Sequence, residues 1–298
     1  MVYGPEAPNI RPMPKADRNG SAELFQGMLA ATRDAILEHE EGSRLGRDSE
    51  CVHRMRVATR RARAALRTAS GVVEQEREEK LRGELAWLGG VLGNVRDLDV
   101  LIAHLRAEAE SLEPAERNAL KPVFSRLTAE RRKARTSLLR ALKSARYRQL
   151  LDELAEAAVR EPTLNGRVRL DKRAGKEFER LVKAMRTLPS EPTDEELHRV
   201  RKLGKRARYA AELTEPLAPR KTATFVKRAK AFQDVTGEHQ DAAVAGEKLR
   251  EFVADESAAA AFAAGQLAER ERARRASARE RLPKAWKELE RAGQQAWS

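Results

Sequence analysis

The chain has a single cysteine, Cys51, so no disulfide framework can hold it together. Aromatic residues make up only 4% of it. That is too few for the stacking platforms with which sequence-tolerant single-strand binders hold bases. No apolar run approaches the roughly 18 residues of a membrane span. There is no Gly-x-x-x-x-Gly-Lys-Ser/Thr loop, no Gly-x-Ser-x-Gly and no Cys-x-x-Cys. A phosphate-cradling loop, a nucleophile elbow and a redox pair are therefore missing. Stretches of period-two alternation are rare, so strands are not expected. Residues 1–20 hold four of the twelve prolines, with charge where a signal peptide needs an apolar core. An extended Pro-rich tail and a cytoplasmic setting are expected.

What is present is apolar periodicity and charge. Hydrophobic residues make up 41% of the 298, enough for a sizeable core, and 35% are charged. Lys and Arg number 59 against 46 Asp and Glu, a formal net charge of +13. Such an excess is either a solvated surface or the footprint of a polyanion partner, and only its distribution separates the two.

From about residue 21 the pattern is helical almost throughout. Phe25, Met28, Leu29, Thr32 and Ile36 form one stripe, in a helix that Gly42 is expected to end. Leu81, Leu85 and Leu88 mark a second helix, stopped at Gly89 and Gly90. Leu98, Leu101, Ile102 and Leu105 mark a third. Further helices are expected near 115–143, 146–160, 173–187, 194–214, 220–236, 239–254 and 257–292, with Pro162, Asn165 and Gly166 in a loop. The fold class is all-α, a helical bundle.

An internal repeat organises it. His53-Arg-Met-Arg56-Val-Ala-Thr-Arg60-Arg61-Ala-Arg63 matches His198-Arg-Val-Arg201-Lys-Leu-Gly-Lys205-Arg206-Ala-Arg208 at an offset of 145. Gly93-Asn-Val-Arg-Asp97-Leu-Asp-Val100 matches Gly237-Glu-His-Gln-Asp241-Ala-Ala-Val244 at 144. Two separated segments in one register imply a duplicated half of about four helices. The halves, about 21–160 and 173–292 of a domain spanning 21–292, would be related by a pseudo-twofold axis.

The repeated segments carry the basic charge. Cys51 to Arg67 contains six arginines and no acid, and His198 to Tyr209 contains six Lys/Arg and no acid. A run of one sign repels itself unless something negative faces it. His53, Arg56, Arg60, Arg63 and Arg67 fall on one helical stripe, about 21 Å long. His198, Arg201, Lys205 and Arg208 repeat it, flanked by Arg61, Lys202 and Arg206. Val52, Met55, Ala58, Ala62 and Leu66 lie to the side, as do Val200, Leu203, Ala207 and Ala210, so each helix can pack while its row points outward or into a groove. Guanidinium forks suit closely repeated phosphates. His53 and His198 are two of only five histidines and hold equivalent positions, as contacts or supports for such a ligand. Asp97, Asp99 and Asp241 follow glycines and leave two readings open. One is N-capping of new helices. The other is pairing of Asp97 and Asp241 with the basic rows as supporting residues. A metal site from His53 and Asp97 lacks the clustered ligands of a hydrolytic centre, and neither metal nor cofactor is expected.

Four motifs in order resemble the CHAD domain, the conserved histidine α-helical domain. They are His53-x-x-Arg56-Val-x-x-Arg60-Arg61-x-Arg63, Leu92-Gly93-x-x-Arg96-Asp97-x-Asp99-Val100, Leu197-His198-x-x-Arg201-Lys202-x-x-Lys205-Arg206-x-Arg208-Tyr209, and Phe232-Gln233-x-x-x-Gly237-x-x-x-Asp241. The resemblance spans about residues 21–292. It implies two four-helix halves around a basic central channel or groove, and non-catalytic binding of inorganic polyphosphate, localised or stored, on granules among other places. It maps the family's basic positions onto Arg56, Arg60, Arg63, Arg201, Lys205 and Arg208, with His53 and His198. Arg131, Arg132, Arg135, Lys227 and Lys230 match more loosely. Gly204 and Thr236 depart from the family's apolar positions. Duplex nucleic acid is the weaker alternative ligand, and a metal-dependent phosphohydrolase weaker still. No membrane partner is expected.

Overall fold

The computed structural model describes residues 20–46, 48–71, 74–159, 169–216, 218–253 and 256–297. Residues 1–19 of the expected tail, and the loop of Pro162, Asn165 and Gly166, lie outside the described residues. Among the described residues there are ten helices and no strand. None of the helices is long and apolar enough to cross a membrane. They are α1 (Gly20–Leu45), α2 (Ser49–Thr68), α3 (Gln75–Ala109), α4 (Pro114–Ala119), α5 (Lys121–Lys143), α6 (Ala145–Val159), α7 (Leu170–Arg186), α8 (Asp194–Thr214), α9 (Pro219–Val253) and α10 (Ala258–Trp297).

Several helix ends differ from the sequence reading. Gly42 does not end α1, which runs to Leu45; the stop is Gly46, whose φ of 69° suits glycine alone. Gly89 and Gly90 do not end a helix either, because α3 continues through both for 35 residues. A helical glycine costs about 0.5–1 kcal/mol relative to alanine, and packing outweighs it here. A Cβ on Gly89 would stand 3.1 Å from Thr59 Oγ1, so the glycine lets α2 lie close to α3. The break expected between 236 and 239 is likewise absent, and α9 is continuous over 35 residues. Each of these two helices is about 52 Å long. The segment near 115–143 is instead two helices that part at Leu120, just before Pro122, which has no N–H to offer the ladder.

The stripes read from sequence are the buried faces. Phe25, Leu29, Ile36, Met55, Leu81, Leu85 and Leu88 are all at most 1% exposed and belong to one core built by α1, α2, α3, α5 and α6. A second core holds Phe178, Leu197, Val200, Phe225, Phe232 and Leu289 from α7 to α10. A third joins the far ends of the long helices, Leu101 to Ala109 of α3 with Ala245 to Phe252 of α9, under α4, α5 and α10. The order of packing repeats: α1 on α2 on α3, then α7 on α8 on α9. Six helices precede residue 160 and four follow it, so the first half carries more than the expected four.

Candidate anion-binding site

Local signals set the two basic helices in register. The Asp48 side chain caps α2 by accepting from the Glu50 amide at 2.8 Å. Thr193 and Glu196 form a reciprocal capping box at the start of α8. Val52, Met55, Ala58, Ala62 and Leu66 are buried on α2, and Val200, Ala207 and Ala210 on α8. The basic rows are left at the edge of the core. His53, Arg56, Arg60, Arg61, Arg63, Arg67, His198, Arg201, Lys205, Arg206 and Arg208 are half-buried, and Lys202 is exposed.

The rows come together, because α2 packs directly on α8. Arg60 Nη2 donates to the Tyr209 hydroxyl. The guanidiniums of Arg60 and Arg208 stand 5.7 and 4.7 Å from the centre of the Tyr209 ring. Arg56 and Arg60 act electrostatically on Arg201 and Lys205, and Arg206 acts on Arg63 and Arg67. Cations from both copies of the repeat thus share one region.

The aspartates settle between their two readings. Asp97 and Asp241 lie inside α3 and α9, one turn beyond Gly93 and Gly237, and cap nothing. Arg56 makes a two-pronged contact with Asp97, at 2.7 and 3.3 Å. Arg201 Nη2 is 4.0 Å from Asp241 Oδ1, a looser copy of the same pair. A Cβ at Gly93 would be 3.5 Å from Arg56 Nε, and one at Gly237 would be 3.8 Å from Arg201 Nη2. Each guanidinium lies alongside the helix at the glycine and reaches toward the acid one turn on. The spacing Gly-x-x-x-Asp therefore repeats with the basic row it serves. Asp97 is 67% exposed, so its pair fixes geometry more than it adds stability. Asp99 also caps nothing; it pairs with Arg131 of α5.

Elsewhere the rows have few counter-charges. Glu212 lies 3.6 Å from Arg61 and 3.4 Å from Arg208. Among the described residues no carboxylate comes within ion-pairing distance of Arg60, Arg63, Arg67, Lys202, Lys205 or Arg206. The crowding is visible in proton affinity. Burial, then Arg201, Arg60 and Arg56, push the Lys205 ammonium down to about 6, with Asp241 opposing. Burial and neighbouring cations also hold His53 and His198 below the ordinary histidine value, and His198 Nδ1 meets Gln240 Oε1 at 2.6 Å. Burial alone would raise the Tyr209 phenol, yet Arg60 and Arg208 outweigh it and lower it.

Lys205 sets a pH dependence of stability. Between about pH 6 and the ordinary lysine value near 10.4 the unfolded chain holds a proton that the folded chain has released. Stability contributed by this group rises across that window, and below pH 6 the cost of the buried charge is fully present. Lys205→Met should therefore stabilise the protein more at pH 6 than at pH 9, measured as the difference in denaturation midpoint. An equal gain at both would show that Lys205 is an ordinary surface lysine.

Two of the more loosely matched arginines have other work. Arg131 is held by Asp99, and Arg135 donates to the carbonyls of Ser43 and Arg44 at 3.3 and 2.7 Å, closing the end of α1. Arg132, Lys227 and Lys230 are exposed. Gly204 replaces an apolar side chain because Phe232 of α9 fills its place, where a Cβ would stand 2.9 Å from the ring. Thr236 is buried, with its hydroxyl bonded to the Phe232 carbonyl at 2.9 Å. The structure adds Glu212, Arg82 and Gln240 to the surroundings of the rows, and places Tyr209 and Arg96 of the quoted motifs beside them. Glu212 was legible as the acid four residues after Arg208. Arg82 sits among mixed charges, which give it no distinguishing signal in sequence. Among the described residues no three His, Cys, Asp or Glu side chains gather as metal ligands.

Comparison with known proteins agrees with this architecture. The chain is 31% identical over 262 residues to the uncharacterized proteins MT2285 and Rv2226 of Mycobacterium tuberculosis, over 83% of this chain and 49% of each relative. It thus spans about half the length of the curated relatives it matches. Its fold is similar to that of PptA from Streptomyces chartreusis, with a TM-score of 0.76 and 24% identity over 89% of this chain and 99% of that one. It is also similar to the crystal structure of the CHAD domain from the plant Ricinus communis, with a TM-score of 0.63 and 27% identity over 93% and 92%. The CHAD domain family model matches residues 27–250, the span that holds α2, α3, α8 and nearly all of α9, and so the chain belongs to the CHAD domain family.

Proposed function

We propose that this protein binds inorganic polyphosphate, without catalysis, in the groove where α2 meets α8, and that it localises or stores the polymer in the cytoplasm, at granules among other places. The observation that carries the reading is the meeting of two duplicated basic rows, with Arg60, Arg63, Arg67 and Arg206 unpaired by any described carboxylate, and with Lys205 among them, an amine that regains its proton once an anion faces it. Clustered, half-buried guanidiniums are costly until an anion with several charges faces them. A linear chain of phosphates presents those charges at close, regular spacing, and forks donate two bonds to each. The equal lengths of α3 and α9, and the pairs Arg56–Asp97 and Arg201–Asp241, support two halves about a pseudo-twofold axis. On this reading the axis runs between the two rows, and the ligand lies across it.

A competition titration tests the reading. Long-chain polyphosphate is expected to displace a labelled polyphosphate at far lower charge concentration than duplex DNA, RNA or monophosphate, with no phosphate released when divalent metal is added. By analogy with single-stranded nucleic acid, about six phosphate contacts would weaken binding by about 10²–10³-fold between about 50 and 200 mM salt. DNA competing equally well, or an affinity indifferent to salt, would remove the basis for the proposal.

A further inference from the structure

Resting on the polyphosphate reading, the structure points to a polar site: we infer that the polymer leaves the α2–α8 centre along one flank only. That flank is a subsite of Arg63 and Arg67 from α2, Arg206 from α8 and Arg82 from α3, while Glu212 closes the other.

The two copies of the repeat carry opposite charges at one position. At the offset of 145, Arg61 corresponds to Arg206, and Glu212 corresponds to Arg67. The position that carries an acid in one half therefore carries a cation in the other. On one flank Arg61 faces Glu212, which also engages Arg208, so one carboxylate serves two guanidiniums. On the other flank, where α2 likewise packs on α8, Arg67 stands in place of that carboxylate within electrostatic reach of Arg206. Arg63 and Arg82 join it, since both Arg82 and Arg206 act on Arg63 and on Arg67.

The acids nearby are fewer than the guanidiniums. Glu78 is buried and lies 3.3 Å from Arg82. Glu177 of α7 attracts Arg67; it is buried, with Oε1 bonded to Arg180 and Oε2 without a hydrogen-bond partner among the described residues. Four guanidiniums from three helices thus meet two carboxylates, of which one is shared with a fifth arginine. Burial and the like-charged neighbours hold Arg63 and Arg67 below the ordinary arginine value. A fold keeps such a cluster without a matching acid when an external anion completes it, and arginine rather than lysine suits a phosphate held by paired N–H groups. Arg67 lies seven residues beyond Arg60, about 10 Å further along α2. A short polyphosphate seated at the centre does not reach it, and a long one does.

The test exploits the equivalence of Arg61 and Arg206. Affinities for tripolyphosphate and for long-chain polyphosphate are measured for the whole chain and for Arg206→Gln and Arg61→Gln, with thermal midpoints recorded. The expected result is that Arg206→Gln lowers the ratio of long-chain to tripolyphosphate affinity about tenfold, with Arg61→Gln lowering it far less. Arg67→Gln repeats the test should Arg206→Gln melt early, and the same drop in the ratio is expected. Equal effects from Arg61→Gln and Arg206→Gln, or an unchanged ratio in Arg206→Gln and Arg67→Gln, overturn the one-sided path while leaving the polyphosphate reading intact. Failure of the unaltered protein to bind either polyphosphate overturns that reading and this inference with it.

Discussion

Changing Arg60 and Lys205 together to glutamate is expected to abolish polyphosphate binding while the helical content, measured by circular dichroism, stays as it was. The two residues are equivalent in the repeat and stand on the two facing helices, so one double substitution reaches the centre from both sides. Each charge-assisted bond to phosphate is worth about 1.5–3 kcal/mol. Losing two of them predicts a fall of at least about 10²-fold, and reversing the charges adds repulsion on top. The fold should survive, because a glutamate at 60 or 205 meets Arg56 and Arg201 rather than an apolar neighbour. Proteins with intact helicity and unchanged affinity would show that the α2–α8 rows are not where the polymer sits.

Phe232→Ala should cost about 3–5 kcal/mol of stability, the usual range for a fully buried phenylalanine. Phe232 is 0% exposed, meets Trp286 edge-on with ring centres 6.0 Å apart, and fills the gap above Gly204. Because that gap is on α8, the cavity would lie directly behind the basic row. The expected readout is a denaturation midpoint lowered accordingly, with binding weakened in proportion to how far α8 settles inward. A loss below about 1 kcal/mol would mean that the α8–α9 contact relaxes and is not a rigid support for the row. The first half solves the same problem with the sizes exchanged, Thr59 on α2 against the bare Gly89 on α3.

This exchange shows what could be read along the chain and what could not. The apolar stripes, the basic rows and the repeat are periodic features, and period is a property of sequence alone. Leu81, Leu85 and Leu88 were legible as a buried face, and that is where they lie. Gly89, Gly90 and Gly237 look like stops in the sequence, since glycine is a poor helix former in isolation. At Gly89 the neighbour across the interface decides otherwise, with Thr59 too close for a side chain to fit easily, and α9 runs through Gly237 without a break. The same error made Asp97 and Asp241 look like candidate caps. Once α3 and α9 are continuous, both acids fall mid-helix and the arginines of α2 and α8 come to them.

Local order, then, determined that this chain is helical, duplicated, and burdened with two acid-free basic segments. Tertiary structure alone decided that those segments face each other, that Tyr209 stands between Arg60 and Arg208, and that Glu212 pairs with Arg61 and Arg208 while Arg67 lies within electrostatic reach of Arg206. The physical reason is one of range. Helix propensity and amphipathic period act over a few residues along the chain. Coulomb energy depends on separation in space, which is unknown until residues about 145 apart in sequence are packed side by side.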